Sequence, residues 1–146
     1  MKKKAFLVVF ISLFLLVCVI GIRYFPMMKT YIAAEKAYNQ GEYMEAVDLY
    51  STISGFLDSD EKILKAYYAK GMELMPDTFE GEWAKQAFSA AKMLRNAKNY
   101  GDAKQQIFDC GMDFLRCGEY YYAGNTFDLV ENNLSEAYHK YNFNYV

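Results

Sequence analysis

Histidine occurs once in 146 residues, as His139, and no second histidine or cysteine stands at metal-ligand spacing from it. A metal centre built of imidazole and thiolate is therefore not expected. Cysteine occurs three times. Cys18 lies in an apolar run, while Cys110 and Cys117 are seven residues apart. On a helix that spacing is about 10 Å, too far for a disulfide, so the two read as small buried apolar side chains. The chain has no phosphate-binding glycine loop, dinucleotide fingerprint or nucleophile elbow. The acidic groups Asp58/Asp60/Glu61 and Glu80/Glu82 are where a general acid–base pair would be sought. Both flank expected helix starts, where negative charge complements the helix dipole. No enzyme activity, cofactor or metal is expected.

Charge is missing from one long stretch, Ala5 to Ile22 (AFLVVFISLFLLVCVIGI), which follows Met1-Lys2-Lys3-Lys4. As a helix it would be roughly 27 Å long, close to the hydrocarbon thickness of a bilayer. Its one overtly polar residue, Ser12, can return its hydroxyl to the backbone. The expected layout is a basic cytoplasmic tip at 1–4, a transmembrane signal-anchor helix at 5–23 and a juxtamembrane linker at 24–29. The run exceeds the usual apolar core of a cleaved leader, which favours an uncleaved single-pass anchor. Val19-Ile20-Gly21 is a weak cleavage site, and its use would leave a secreted binding protein. Leu15-Leu16-Val17-Cys18 invites a lipoprotein reading, but Val17 is larger than the usual residue before a lipidated cysteine and the apolar run continues beyond it. Three lysines and the amino terminus crowd one flank, whereas Arg23, Lys29 and Lys36 are spread along the other. That asymmetry favours a cytoplasmic N-terminus in a bacterial-type plasma membrane and an extracytoplasmic remainder.

From Thr30 onward, 18 acidic residues face 11 Lys and Arg, a net charge of about −7. Such a balance repels nucleic-acid phosphates and anionic lipid heads. No stretch rich in serine, glycine and proline divides this region, and its many tyrosines and phenylalanines suit a packed domain rather than disorder.

What is present is repetition. Gly41-Glu42-Tyr43, Gly81-Glu82-Trp83 and Gly118-Glu119-Tyr120 are followed by Ala46, Ala87 and Ala123. From each alanine, apolar residues fall at +4 and +7: Tyr50 and Ile53, Ala91 and Leu94, Phe127 and Val130. Those positions share one helix face, and a face recurring every 36 to 41 residues marks a helical repeat. FLDSDEKI at 56–63 matches YGDAKQQI at 100–107, with Asp58 and Asp102 placed to cap new helices. Each glycine is expected where one helix stops and the chain reverses. Each following aromatic should plug the corner, and each alanine should allow close helix approach. The expectation is an all-α fold: a transmembrane helix, then antiparallel helix pairs at about 30–57, 58–99 and 100–133. A C-terminal capping helix and tail at 134–146, carrying Leu134, Ala137, Tyr138 and Tyr141, would cover the last apolar face.

The pattern resembles the tetratricopeptide repeat. Ala34, Gly41, Tyr43, Ala46 and Tyr50 match it in the first unit, and Gly111, Phe114, Gly118, Tyr120, Ala123 and Phe127 in the third. The second departs, with extra residues at Met75-Pro76-Asp77 and Ala91 where a larger aromatic is expected. The family's terminal proline is absent from all three. The resemblance implies a groove lined by the first helix of each pair, which places Tyr31 and Tyr38, Tyr68 and Met72, and Phe108 and Met112 as partner-binding residues. It also implies a non-enzymatic, outward-facing adaptor for a peptide or protein, held to the bilayer through residues 5–22. The alternative is a structural subunit of a membrane complex, in which the same side chains serve as packing and the chain self-associates.

Overall fold

The computed structural model describes the backbone of residues 2–130 and the side chains of residue 14 and residues 21–130. The expected capping helix and His139 lie outside the described residues. Within them the chain is all-α, with no strand. Its helices are α1 (Lys2–Asn39), α2 (Tyr43–Ser51), α3 (Ser59–Leu74), α4 (Trp83–Asn96), α5 (Ala103–Arg116) and α6 (Tyr120–Phe127). Among the described residues no helix is long and apolar enough to cross a membrane. Most of the 5–22 segment expected to do so falls on side chains outside that description. Two compact units divide the chain, residues 1–60 and 61–146.

In the first unit the segment 24–29, expected as a linker, is helical and belongs to α1, with Pro26 inside it. Proline removes one ladder hydrogen bond, and the Thr30 hydroxyl donates to the Pro26 carbonyl at 3.2 Å. At Gly41 (φ +81°) the chain turns left-handed. The Glu42 N–H then reaches the Ala37 carbonyl at 3.0 Å and the Gly41 N–H the Tyr38 carbonyl at 3.1 Å. That closure satisfies the last carbonyls of α1 and sends α2 back along it, with Ala34, Ala37, Ala46, Val47 and Tyr50 buried. Each large side chain so buried contributes about 1.5–3 kcal/mol.

The second unit packs α4 against α5 and α6, and α5 against α6. Gly118 (φ +80°) repeats the Gly41 turn, with the Glu119 N–H donating to the Phe114 carbonyl at 2.8 Å. Gly81 does not. It is left-handed (φ +61°), but α3 has already ended at Leu74. Pro76 disfavours helix at Met75 before it, so the extra residues at 75–77 separate the helix stop from the turn.

The glutamate of each triplet is the residue before the second helix, and none of Glu42, Glu82 or Glu119 makes a side-chain capping bond. Tyr43 meets Tyr38 of its own pair edge-on at 5.3 Å, whereas Trp83 stacks at 5.1 Å on Phe114 of α5, in the next pair. Tyr120 is 73% exposed and fills nothing. Its place beside Phe114 is taken by Tyr122, stacked at 5.4 Å.

The repeat register differs from the sequence expectation by one helical turn in α4. After α2, three-residue turns link Tyr50, Ile53, Phe56 and Ser59, and after α4 the same turns link Leu94, Ala97, Tyr100 and Ala103. Tyr50 therefore corresponds to Leu94, not to Ala91, and Ala46 to Ala90 rather than Ala87. The missing bulky residue of the middle pair is present, three residues later, because α4 is longer than α2. Close approaches at small residues follow the same alignment. A Cβ on Gly71 would lie 2.6 Å from Leu94 Cγ, and one on Gly111 would lie 2.6 Å from Phe127 Cε1. Tyr50 likewise reaches α1 at Tyr31 and Glu35, around the buried Ala34.

Candidate functional site

The residues expected to line a groove fall in both units and have unequal environments. In the first unit Tyr31 is half-buried. Its ring lies 5.6 Å from Tyr50 and 6.3 Å from Phe56, and its hydroxyl donates to Asp58 Oδ1 at 2.5 Å. In the second unit Tyr68 repeats this arrangement. Its ring lies 5.8 Å from Tyr100, and its hydroxyl donates to Asp102 Oδ1 at 2.5 Å.

Asp102 therefore does not act as a side-chain cap, although it directly precedes α5. Its oxygens are engaged by Tyr68 and by Gln106 Nε2, the latter at 2.9 Å. Asp58 has the corresponding tyrosine partner, Tyr31. In both places the residue between the aromatic and the aspartate is left-handed, Leu57 at φ +50° and Gly101 at φ +55°. The repeated element is thus a clasp: a tyrosine on one first helix ties down the aromatic-x-aspartate corner that starts the next. Phe108 holds the corresponding position on α5, three residues before Gly111. It has no hydroxyl, and its ring packs 5.7 Å from Phe127.

Electrostatically the second clasp is an ordered donor–acceptor pair. The Tyr68 hydrogen bond, followed by that of Gln106, holds the Asp102 carboxyl below its ordinary value. The same hydrogen bond, followed by burial, raises the Tyr68 phenol. Both groups are thereby held further from titration near neutral pH, which suits a structural tie and not proton transfer. Tyr50 is raised in the same direction by burial and by its hydrogen bond to Glu35.

Of the other groove positions, Met72 is 37% exposed and available to a partner, whereas Met112 is 7% exposed and belongs to the core of the second unit. The burial of Met112 follows from α5 being covered by both α4 and α6. Sequence reasoning missed Phe79, exposed and edge-on to Trp83 at 4.9 Å. It also missed Tyr121, which is 74% exposed. A run of three tyrosines signals this position only weakly, since the residues diverge around a helix.

Of the acidic groups weighed as catalytic, Asp58, Asp60 and Glu82 have local partners. Asp60 accepts from the Ser54 hydroxyl at 2.6 Å and the Gly55 N–H at 3.3 Å, and Glu82 pairs with Lys85 at 3.7 Å. Burial pushes the Cys110 thiol up to about 12, while Cys117 is exposed. Among the described residues no three His, Cys, Asp or Glu side chains group to hold a metal ion. No protein family, curated protein or solved structure matches this chain.

Proposed function

We propose that this chain is a membrane-anchored, outward-facing interaction module of tetratricopeptide-like helix pairs, which binds a peptide or protein partner close to the bilayer. The observation that carries the reading is α1 itself. Its backbone is helical from Lys2 to Asn39, so the uncharged 5–22 run and the first helix of the leading pair are one helix. At the end of that run α1 exposes Ile22, and beyond it Tyr24, Phe25 and Met28, and Lys29 lies over the Phe25 ring at 4.8 Å. Aromatic rings with a nearby cation suit the headgroup layer of a membrane. A continuous helix would hold the first pair within about 26 Å of the apolar segment, raising its effective concentration for membrane or newly exported partners.

Exposed Met72 and the half-buried Tyr68 and Phe108 provide adaptable apolar area for such a partner. A photoreactive residue at position 72 in native membranes tests this. The expected product is one distinct protein, lost when Phe108 is changed to serine in a chain that keeps its helical circular dichroism. Capture of nothing beyond lipid would reject the reading. One observation favours the structural-subunit alternative: the second helices expose Met44, Tyr120 and Tyr121. In that case position 72 would capture only copies of this chain.

A further inference from the structure

The region from Thr30 onward is acidic, yet one cleft in the second unit carries the opposite charge. Its volume is about 630 Å³ and its lining includes Arg95, Lys98 and Lys104 with the amides Asn96 and Asn99. Among the described residues no aspartate or glutamate lines it. Ile63, Tyr67, Ile107 and Leu129 supply an apolar part. That volume and mixture of apolar wall with a few polar groups lie within the range of small-molecule sites.

Ordinary structural roles account for only part of this cluster. Arg95 is in the last turn of α4, where a cation complements the helix dipole. Lys104 is the second residue of α5, at the end of a helix that disfavours positive charge. Lys98 holds φ +55°, a left-handed conformation that strains any residue with a Cβ. Among the described residues none of the three side chains has an ion-pair or hydrogen-bond partner. Three cations that no described residue neutralises are thus gathered in one cleft against the charge of the region, with a helix-dipole cost at Lys104 and a backbone cost at Lys98.

We infer that this cleft is a binding site for a small organic oxyanion, a phosphate- or carboxylate-bearing molecule whose apolar body packs on Ile63, Tyr67, Ile107 and Leu129. Arginine and lysine donors with flanking amides match an oxyanion's acceptors, and the apolar wall selects against the bare ion. The site is independent of partner docking and stands whether or not that reading holds.

Calorimetric titration of the full chain in a non-ionic detergent at low salt tests it, with phenyl phosphate, benzoate, inorganic phosphate and phenol as probes. Phenyl phosphate or benzoate is expected to bind saturably, inorganic phosphate at least about tenfold more weakly and phenol not at all. The stronger of the two aromatic anions identifies the head group. Arg95→Gln and Lys104→Gln should each weaken binding about tenfold, while Lys92→Gln, on α4 but outside the cleft, should leave it unchanged. Lys98→Gly adds a readout that a purely structural lysine would not give: it should raise thermal stability while weakening binding. The inference is overturned if neither aromatic anion saturates or if Lys92→Gln weakens binding as much as Arg95→Gln. Binding only to phosphatidylglycerol vesicles, with none to the small anions, would also overturn it, since the site would then be a membrane contact.

Discussion

At the scale of single residues, the second tyrosine–aspartate clasp makes a signed pH prediction. The Asp102 carboxyl is depressed in the folded chain, so its contribution is present above the ordinary carboxylate value of about 3.9 and is lost as pH falls through the depressed one. The Tyr68 phenol is raised. Its contribution is present below the ordinary phenol value of about 10 and is lost as pH rises through the raised one. Tyr68→Phe should therefore cost less than about 1 kcal/mol near pH 7, because the pair is solvent-exposed. The difference from the unaltered chain should shrink below about pH 4 and above about pH 10. Urea denaturation across that range measures it, and a difference of equal size at pH 3 would mean that the hydrogen bond is not its source. Leu57 yields a second prediction. It is left-handed and 64% exposed, and its counterpart in the other clasp is Gly101. Leu57→Gly should stabilise the chain by up to about 1 kcal/mol, the relief of strain exceeding the added freedom of the unfolded chain. A lower melting temperature would contradict the clasp geometry.

Between elements, the controlling contacts are small residues beneath bulky ones. A Cβ on Gly71 would meet not only the Leu94 side chain but also the Leu94 backbone nitrogen, at 3.1 Å. Gly71→Ala should therefore destabilise by about 1–3 kcal/mol, even though alanine is the better helix former by about 1 kcal/mol. A melting temperature at or above that of the unaltered chain would mean that α3 and α4 do not approach this closely. Much of the element pattern was legible in the sequence. The all-α class follows from apolar spacing, and the Gly41 and Gly118 turns from residues that accept positive φ. The middle pair was harder to read. Gly81 marks the turn but not the end of α3, and the additional turn of α4 moves the bulky residue from position 91 to Leu94. Spacing counted from the turn does not register an insertion inside a helix, whereas contact with Gly71 does. The clasp was hidden for a different reason. An aspartate before a helix suggests a cap, and its actual partner, Tyr68, is 34 residues away. The cationic cleft was hidden because Arg95, Lys98 and Lys104 are unremarkable singly in an acidic region.

For the molecule as a whole, α1 joins the anchor proposal to the repeat proposal, since one helical backbone contains both the uncharged run and the first helix of the leading pair. The native cysteines offer a direct test of the resulting topology. Cys117 is exposed, whereas Cys110 is buried and its raised thiol is poorly reactive. Treatment of intact spheroplasts with a membrane-impermeant maleimide, followed by alkaline extraction and mass analysis of the chain, reads sidedness and anchoring together. Cys117 should be labelled without permeabilisation, and the labelled chain should stay in the membrane fraction with residues 1–22 still attached. Labelling only after permeabilisation, or a labelled chain released in soluble form without that segment, would contradict that topology.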